Sequence, residues 1–164
     1  MVELRQSAEF SGWLRRLKDD TPVWLEVTNL MIPTLNDGEE ETLALVDWML
    51  ENLGDSVPLH FTAYHPDFKL RDKPRTPHDT LHRARRLAMQ RGMKFVYEGN
   101  VLCEEGHTTF CPNCQRALIR RSWNNLKTFE LTAEGNCNHC GTQIPGHFPW
   151  VGRPGKASYR FDLQ

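Results

Sequence analysis

Two cysteine pairs, FCPNC at residues 110–114 and CNHC at 137–140, constrain this chain more than any other feature. Cys111, Cys114, Cys137 and Cys140 stand as CxxC, twenty-two intervening residues, CxxC. Thiolates two residues apart share one tight knuckle and both reach a tetrahedral Zn2+ at about 2.3 Å, and a second knuckle closes the four-ligand shell. Between the pairs, ALIRRSWNNLKTFELTAEG has the β-prone content and polar turn of a hairpin, so residues 107–148 read as a zinc ribbon. A unit of about 40 residues cannot build a sufficient apolar core, so metal binding would supply its folding energy. A closed shell of four cysteines leaves no position for water, which makes the zinc structural; rubredoxin-like iron, a disulfide pair and a thiol redox couple are the alternatives. The fifth cysteine, Cys103, reads as a buried or idle thiol near a strand end, with an extra metal ligand or a reactive group as the alternative.

Composition narrows the rest. A formal net charge of −1 over 164 residues predicts neither a nucleic-acid binder nor a membrane-surface protein. The start MVELRQSAEF has no apolar signal-type stretch, and no run approaches about 18 apolar residues, so a cytoplasmic protein with no membrane partner is expected. In a reducing compartment, CxxC pairs are metal sites before they are disulfides.

Upstream of the ribbon the chain alternates between two periodicities. AEFSGWLRRLK places Phe10, Trp13, Leu14 and Leu17 at helical spacing. VWLEVTNLMI, 23–32, is a buried-strand pattern. Asn36 or Asp37 can cap a second helix, whose stripe of Leu43, Val46, Leu50 and Leu53 ends at Gly54. VPLHFTAYHP, 57–66, is a second strand. Thr76, Pro77 and Asp79 open a third helix that Gly92 closes, and MKFVYEGNV, 93–101, is a third strand. Strand, helix, strand, helix, strand is the signature of parallel βαβ units, whose chemistry gathers at the strands' C-terminal ends. Three strands are a fragment of a sheet, with one edge unpaired or covered by the first helix. The expected organisation is an α/β unit over 1–103, a zinc ribbon over 104–150 and a tail over 151–164.

Candidate chemistry outside the ribbon is sparser. His60 and His65 flank the second strand, and Tyr64, His65 and Asp67 fall at its C-terminal end. Thr28 and Asn29 are polar inside an apolar strand, so they either find hydrogen-bond partners or line a pocket. Residues 69–94 carry nine Lys or Arg against two Asp, while residues 37–55 carry seven acids and no base. Two solvated helix faces of opposite sign account for this. A phosphate-binding face is the other reading, disfavoured because no aromatics interleave the basic helix.

VWLEVTNLMIPTLND, VPLHFTAYHPDFKLRDKPRTPHDTLHRAR, FVYEGNV and the ribbon with TTFCPNCQRALIRR and CNHCGTQIPGHF together resemble the C-terminal half of the AmmeMemoRadiSam-system radical S-adenosylmethionine enzymes, relatives of pyruvate formate-lyase activating enzyme. The resemblance covers residues 20–148. It implies the last βα units of a partial (β/α) barrel followed by a zinc-ribbon-like tail. It implies S-adenosylmethionine and a [4Fe–4S] cluster as cofactors, available only if the missing half is supplied. Such enzymes hold the cluster with a CxxxCxxC motif, and that motif is not among these 164 residues. The chain is therefore expected to be inactive alone, with an upstream chain carrying CxxxCxxC as its partner and a protein as one class of substrate. Of the cofactor-contacting positions, the resemblance carries over Thr28, Asn29 and His65. Gln115 departs from the glycine usual after the first CPxC, which strains that knuckle if φ is positive there. A stand-alone zinc-ribbon module binding nucleic acid or a protein is the competing function, and a thiol redox protein is a third.

Overall fold

The computed structural model describes residues 7–122 and 125–148. The chain divides into two compact units at Val101/Leu102, two residues before the boundary expected from sequence. The tail expected over 151–164 lies outside the described residues.

The first unit opens with helix α1 (Ala8–Asp20), capped by Ser7, whose hydroxyl accepts from the Phe10 amide at 3.2 Å. Strands β1 (Val27–Met31), β2 (Leu59–Ala63) and β3 (Val96–Gly99) pair in parallel in the order β1-β2-β3. Helices α2 (Glu39–Asn52) and α3 (His78–Arg91) make the two crossovers and pack on each other. The three strands are shorter than their apolar runs, because ladder hydrogen bonds extend only as far as a partner lies alongside. Helix α3 ends at Gly92, whose φ of 118° suits the left-handed C-cap that glycine tolerates.

The core lies between the sheet and these two helices. Met31, Leu59, Phe61, Ala63 and Val96 are buried, and α2 and α3 add Val46, Met49, Leu81, Ala84 and Ala88. Strand β2 is buried at every second residue, Leu59, Phe61 and Ala63, so the helices cover one face of the sheet. Helix α1 joins α2 through the Trp48 indole, which donates to Ser11 Oγ at 3.1 Å and stacks on Phe10 at 6.3 Å. Elsewhere on its apolar stripe Leu14 is half-buried, while Trp13 is 58% exposed.

The two expected side-chain caps are employed elsewhere. Glu39 begins α2 after Gly38, without a side-chain cap. Asn36 Oδ1 instead accepts from the Ile32 amide at 2.6 Å and Asp37 Oδ1 from the Thr34 amide at 2.7 Å, shaping the preceding turn. Pro77 occupies the N-cap position of α3. Thr76, the expected cap, is buried with its hydroxyl between Met31 and Tyr64.

The second unit is a three-stranded antiparallel sheet, β4 (Thr109–Phe110), β5 (Ala117–Ser122) and β6 (Asn125–Phe129). Its buried apolar side chains include Leu118, Ile119, Leu131 and Ile144, a small set beside Cys111 and Cys137. Glu104 bridges Arg120 and Lys127 at 3.2 and 3.1 Å, and both cations hold its carboxyl below the usual range.

Candidate metal centre

The four cysteines come together as their spacing predicts. Cys111 and Cys114 sit on the turn between β4 and β5, where the Cys111 amide donates to the Arg116 carbonyl at 2.9 Å and the Gln115 amide to the Cys111 carbonyl at 3.0 Å. The second knuckle repeats this arrangement. The Cys137 amide donates to the Thr142 carbonyl at 2.8 Å and the Gly141 amide to the Cys137 carbonyl at 2.9 Å. The closing residue is left-handed in both, Gly141 at φ 74° and Gln115 at φ 59°.

The sulfurs converge to metal-shell geometry. Cys111 Sγ lies 3.6 Å from Cys140 Sγ, and Cys114 Sγ lies 3.7 Å from Cys137 Sγ. All four sulfurs lie within 4.8 Å of one another. Four thiolates at about 2.3 Å from one tetrahedral ion stand about 3.8 Å apart, so these cysteines fit a metal ion. At Cys114 the Arg116 backbone amide lowers the pKa, but burial and the other three sulfurs outweigh it and leave the thiol pushed up to about 11. At Cys140 the Thr142 hydroxyl and backbone amide outweigh burial and bring the thiol down to about 5. Cys103 stands outside this cluster, half-buried, with its sulfur accepting from the Gly106 amide at 3.3 Å.

In the first unit the face of the sheet opposite α2 and α3 carries a polar row. Thr28, His60 and Tyr97 are register partners across it, followed by Leu30, Thr62 and Gly99. His60 Nε2 is 2.8 Å from Glu26 Oε2, and the ring of His60 stacks on Tyr97 at 5.0 Å. Trp24 donates to Glu26 Oε1 at 2.7 Å. Leu30 is 44% exposed on this face, and β1 has, among the described residues, a strand on one side only.

The structure separates Thr28 from Asn29. Successive strand residues alternate faces, so Thr28 stands on the open face and Asn29 on the helix-covered one, where its Oδ1 accepts from Asn36 Nδ2 at 3.2 Å. His65 is exposed beyond the C-terminal end of β2, on neither of these rows. Tyr64 is buried and its hydroxyl donates to the Leu70 carbonyl, while Asp67 Oδ1 accepts from the Phe68 amide in the following turn.

Three polar side chains tie the strand ends together. Asn36 donates to the Leu30 carbonyl at 2.9 Å, Thr76 to the Met31 carbonyl at 2.5 Å, and Asn100, at φ 57°, to the Ala63 carbonyl at 3.1 Å. This gives the run EGNV a physical meaning. Gly99 leaves room for Thr62, and Asn100 turns the chain and anchors it to β2.

Sequence reasoning did not find Glu98. Its side chain is fully buried on β3, with Oε2 2.7 Å from His78 Nε2 and Oε1 3.3 Å from His82 Nδ1. The signal was present as an acid inside an apolar strand and two histidines one helical turn apart. The basic stretch is partly spoken for. Arg85 is buried and donates to the Val96 carbonyl, Arg91 pairs with Asp47 at 2.6 Å, and Lys94 pairs with Asp55 at 2.9 Å.

The chain is 46% identical over 123 residues to an uncharacterized protein of Methanocaldococcus jannaschii, a match taking in 74% of this chain and 37% of that relative. The chain thus spans well under half the length of the curated relative it matches. No family model and no solved structure matches it. Among the described residues, no helix is long and apolar enough to cross a membrane.

Proposed function

We propose that this chain is the C-terminal portion of a radical S-adenosylmethionine enzyme of the AmmeMemoRadiSam type. In this reading the parallel sheet is an arc of a partial (β/α) barrel, and the four cysteines hold a structural zinc in a ribbon tail. The observation that carries the reading is the one-sided sheet. Strands in consecutive order with right-handed crossovers put every helix on one face and leave the other for a barrel interior, whereas a doubly wound sheet reverses and covers both. A face that carries no helix among the described residues, with its Glu26–His60–Tyr97 row, and a β1 that has a described strand on one side only, with Leu30 exposed, are what such an arc presents before the remaining strands close on it. The greater length of the archaeal relative is consistent with a barrel whose other strands lie elsewhere.

When bound, the cluster and S-adenosylmethionine supply reductive cleavage to a radical. This chain carries no CxxxCxxC motif, so its own part is to close the barrel and shape the interior. The reading assigns to the cofactor Thr28, on the helix-free face at the second residue of β1, and His65, beyond the C-terminal end of β2, with Asn29 acting through the turn after β1. The engagement of Arg85, Arg91 and Lys94 leaves the nucleic-acid reading the weaker one.

The test is reconstitution. The chain is purified without oxygen, alone and with a protein carrying the CxxxCxxC half, and zinc, iron, acid-labile sulfide and S-adenosylmethionine cleavage are measured. Zinc without sulfide alone, with sulfide and cleavage in the mixture, is expected. Zinc in both states and no complex, with salt-dependent binding to nucleic acid instead, would overturn the reading in favour of a stand-alone ribbon module.

A further inference from the structure

We propose that the outer edge of β1 is a docking surface for one parallel strand, contributed by the polypeptide that carries the CxxxCxxC half. The identity of that partner rests on the reading above, whereas the surface follows from where the backbone groups of β1 go. The Val27 amide donates to the Pro58 carbonyl at 2.9 Å, so Val27, Asn29 and Met31 turn their amides and carbonyls toward β2. Those of Thr28 and Leu30 turn the other way, to a side that has no strand among the described residues.

Asn36 sets where the open stretch ends. Its side-chain amide donates to the Leu30 carbonyl at 2.9 Å and accepts from the Ile32 amide at 2.6 Å, the two groups that a neighbouring strand would meet next. The amide and carbonyl of Thr28 and the amide of Leu30 are left, on two exposed residues. A parallel strand fits this set without remainder. One of its carbonyls accepts from the Thr28 amide; the residue two further on donates its amide to the Thr28 carbonyl and accepts from the Leu30 amide. A second copy of this chain, related by a two-fold axis, would arrive antiparallel. Pairing both residues would then call on the Leu30 carbonyl, which Asn36 already holds.

Edge strands that remain unpaired are commonly blunted by lysine, proline or a bulge. VTNLM has neither lysine nor proline, and its register with β2 runs unbroken. Apolar side chains accompany the edge: Val23 and Trp24 lead into β1, Leu30 lies on it and Leu35 follows it, all four exposed. The archaeal relative has chain enough to supply such a strand, since the matched segment is 37% of its length.

The experiment measures amide hydrogen exchange by NMR on the full zinc-loaded chain, alone and with the protein carrying the CxxxCxxC half. The Thr28 and Leu30 amides should exchange freely in the chain alone and at least tenfold more slowly in the mixture, while those of Asn29 and Met31, bonded to β2 in both, stay protected. Leu30→Pro removes an outward donor and nothing from the ladder to β2. It should bind the partner at least tenfold more weakly than Leu30→Ala, which keeps the donor and loses the same side chain. A complex in which Thr28 and Leu30 exchange as in the free chain overturns the proposal, as does the absence of a complex. Slowing that grows with the chain's own concentration also overturns it, by assigning the edge to a second copy. Sulfide and cofactor cleavage in the mixture bear on the radical-enzyme reading alone: a protected edge without cleavage would keep the surface and sink that reading, and cleavage with an unprotected edge would do the reverse.

Discussion

The hydroxyl of Thr76, just before α3, donates to the carbonyl of Met31 at 2.5 Å, reaching back 45 positions to the C-terminal end of β1. The same oxygen accepts from the Tyr64 amide at 2.9 Å, and the Thr76 amide donates to the Tyr64 carbonyl at 3.1 Å. One buried side chain thus satisfies a backbone acceptor from β1's end and a donor from β2's end, neither of which water can reach.

Thr76→Val should therefore cost about 1–3 kcal/mol, since it keeps the shape and strands two buried backbone groups. Thr76→Ser, which keeps the hydroxyl, should cost less. Urea denaturation of the two variants followed by far-UV circular dichroism checks the order, and equal losses would assign the effect to the methyl group.

Gly99 sits on the open face of the sheet where an added Cβ would come 2.6 Å from Thr62 Oγ1. Gly99→Ala should destabilise the first unit by about 1 kcal/mol by forcing that side chain aside. Thr62→Ala removes the obstructing atom, so the double variant should recover most of the loss. A thermodynamic cycle over the four proteins measures the coupling, and additive effects would show that Thr62 yields freely.

What the sequence could and could not disclose follows from the range of each interaction. The cysteine knuckles are local devices, and their spacing alone locates the four ligands. The order of strands and helices was equally readable, because periods of two and 3.6 residues are written along the chain. Thr76 was misplaced as a helix cap because its actual partners, Met31 and Tyr64, are remote in sequence. Thr28 and Asn29 looked like a pair, but pleating sends neighbours to opposite faces. The stripe of α1 announced amphipathicity correctly, yet periodicity cannot say what covers a stripe, and Trp13 remains exposed. Glu98 escaped notice because its histidines come from another element and meet it only when β3 lies under α3.

Removing the metal should unfold the second unit and spare the first. Among the described residues, the buried aliphatic side chains Leu118, Ile119, Leu131 and Ile144 are too few to hold a sheet of this size without the ion. Amide resonances from β4 to β6 should collapse on chelation while those of β1 to β3 persist. Cys111→Ser and Cys137→Ser, which alter the two most buried ligands, should reproduce the collapse at any metal concentration that saturates the unaltered chain. A second unit that stays folded without metal would show that the hairpin carries itself.

Gln115 holds φ at 59° where Gly141 of the other knuckle holds 74°. A side chain in the left-handed region costs about 1 kcal/mol, partly returned here by the Gln115 Nε2 bond to the Pro112 carbonyl at 3.1 Å. Gln115→Gly should relax the knuckle and raise the metal-loaded unit's stability by roughly 0.5 kcal/mol, after the glycine's extra unfolded-state entropy is subtracted. Thermal melts of both proteins with metal saturating decide the sign.

Metal uptake should release protons. Zinc binds thiolates, and a second unit that is unfolded without metal presents its four cysteines as ordinary thiols, whose pKa of about 8.5 leaves them mostly protonated at pH 7. Closing the four-sulfur shell should therefore release about four protons per zinc. The sign of the pH dependence follows: as pH falls, protons compete for the sulfurs and zinc affinity declines. Titrating zinc into the metal-free chain at pH 7 in weak buffer, read with a pH indicator, measures the yield. A yield of about two would mean that one knuckle alone takes the ion and that the two CxxC pairs do not share it.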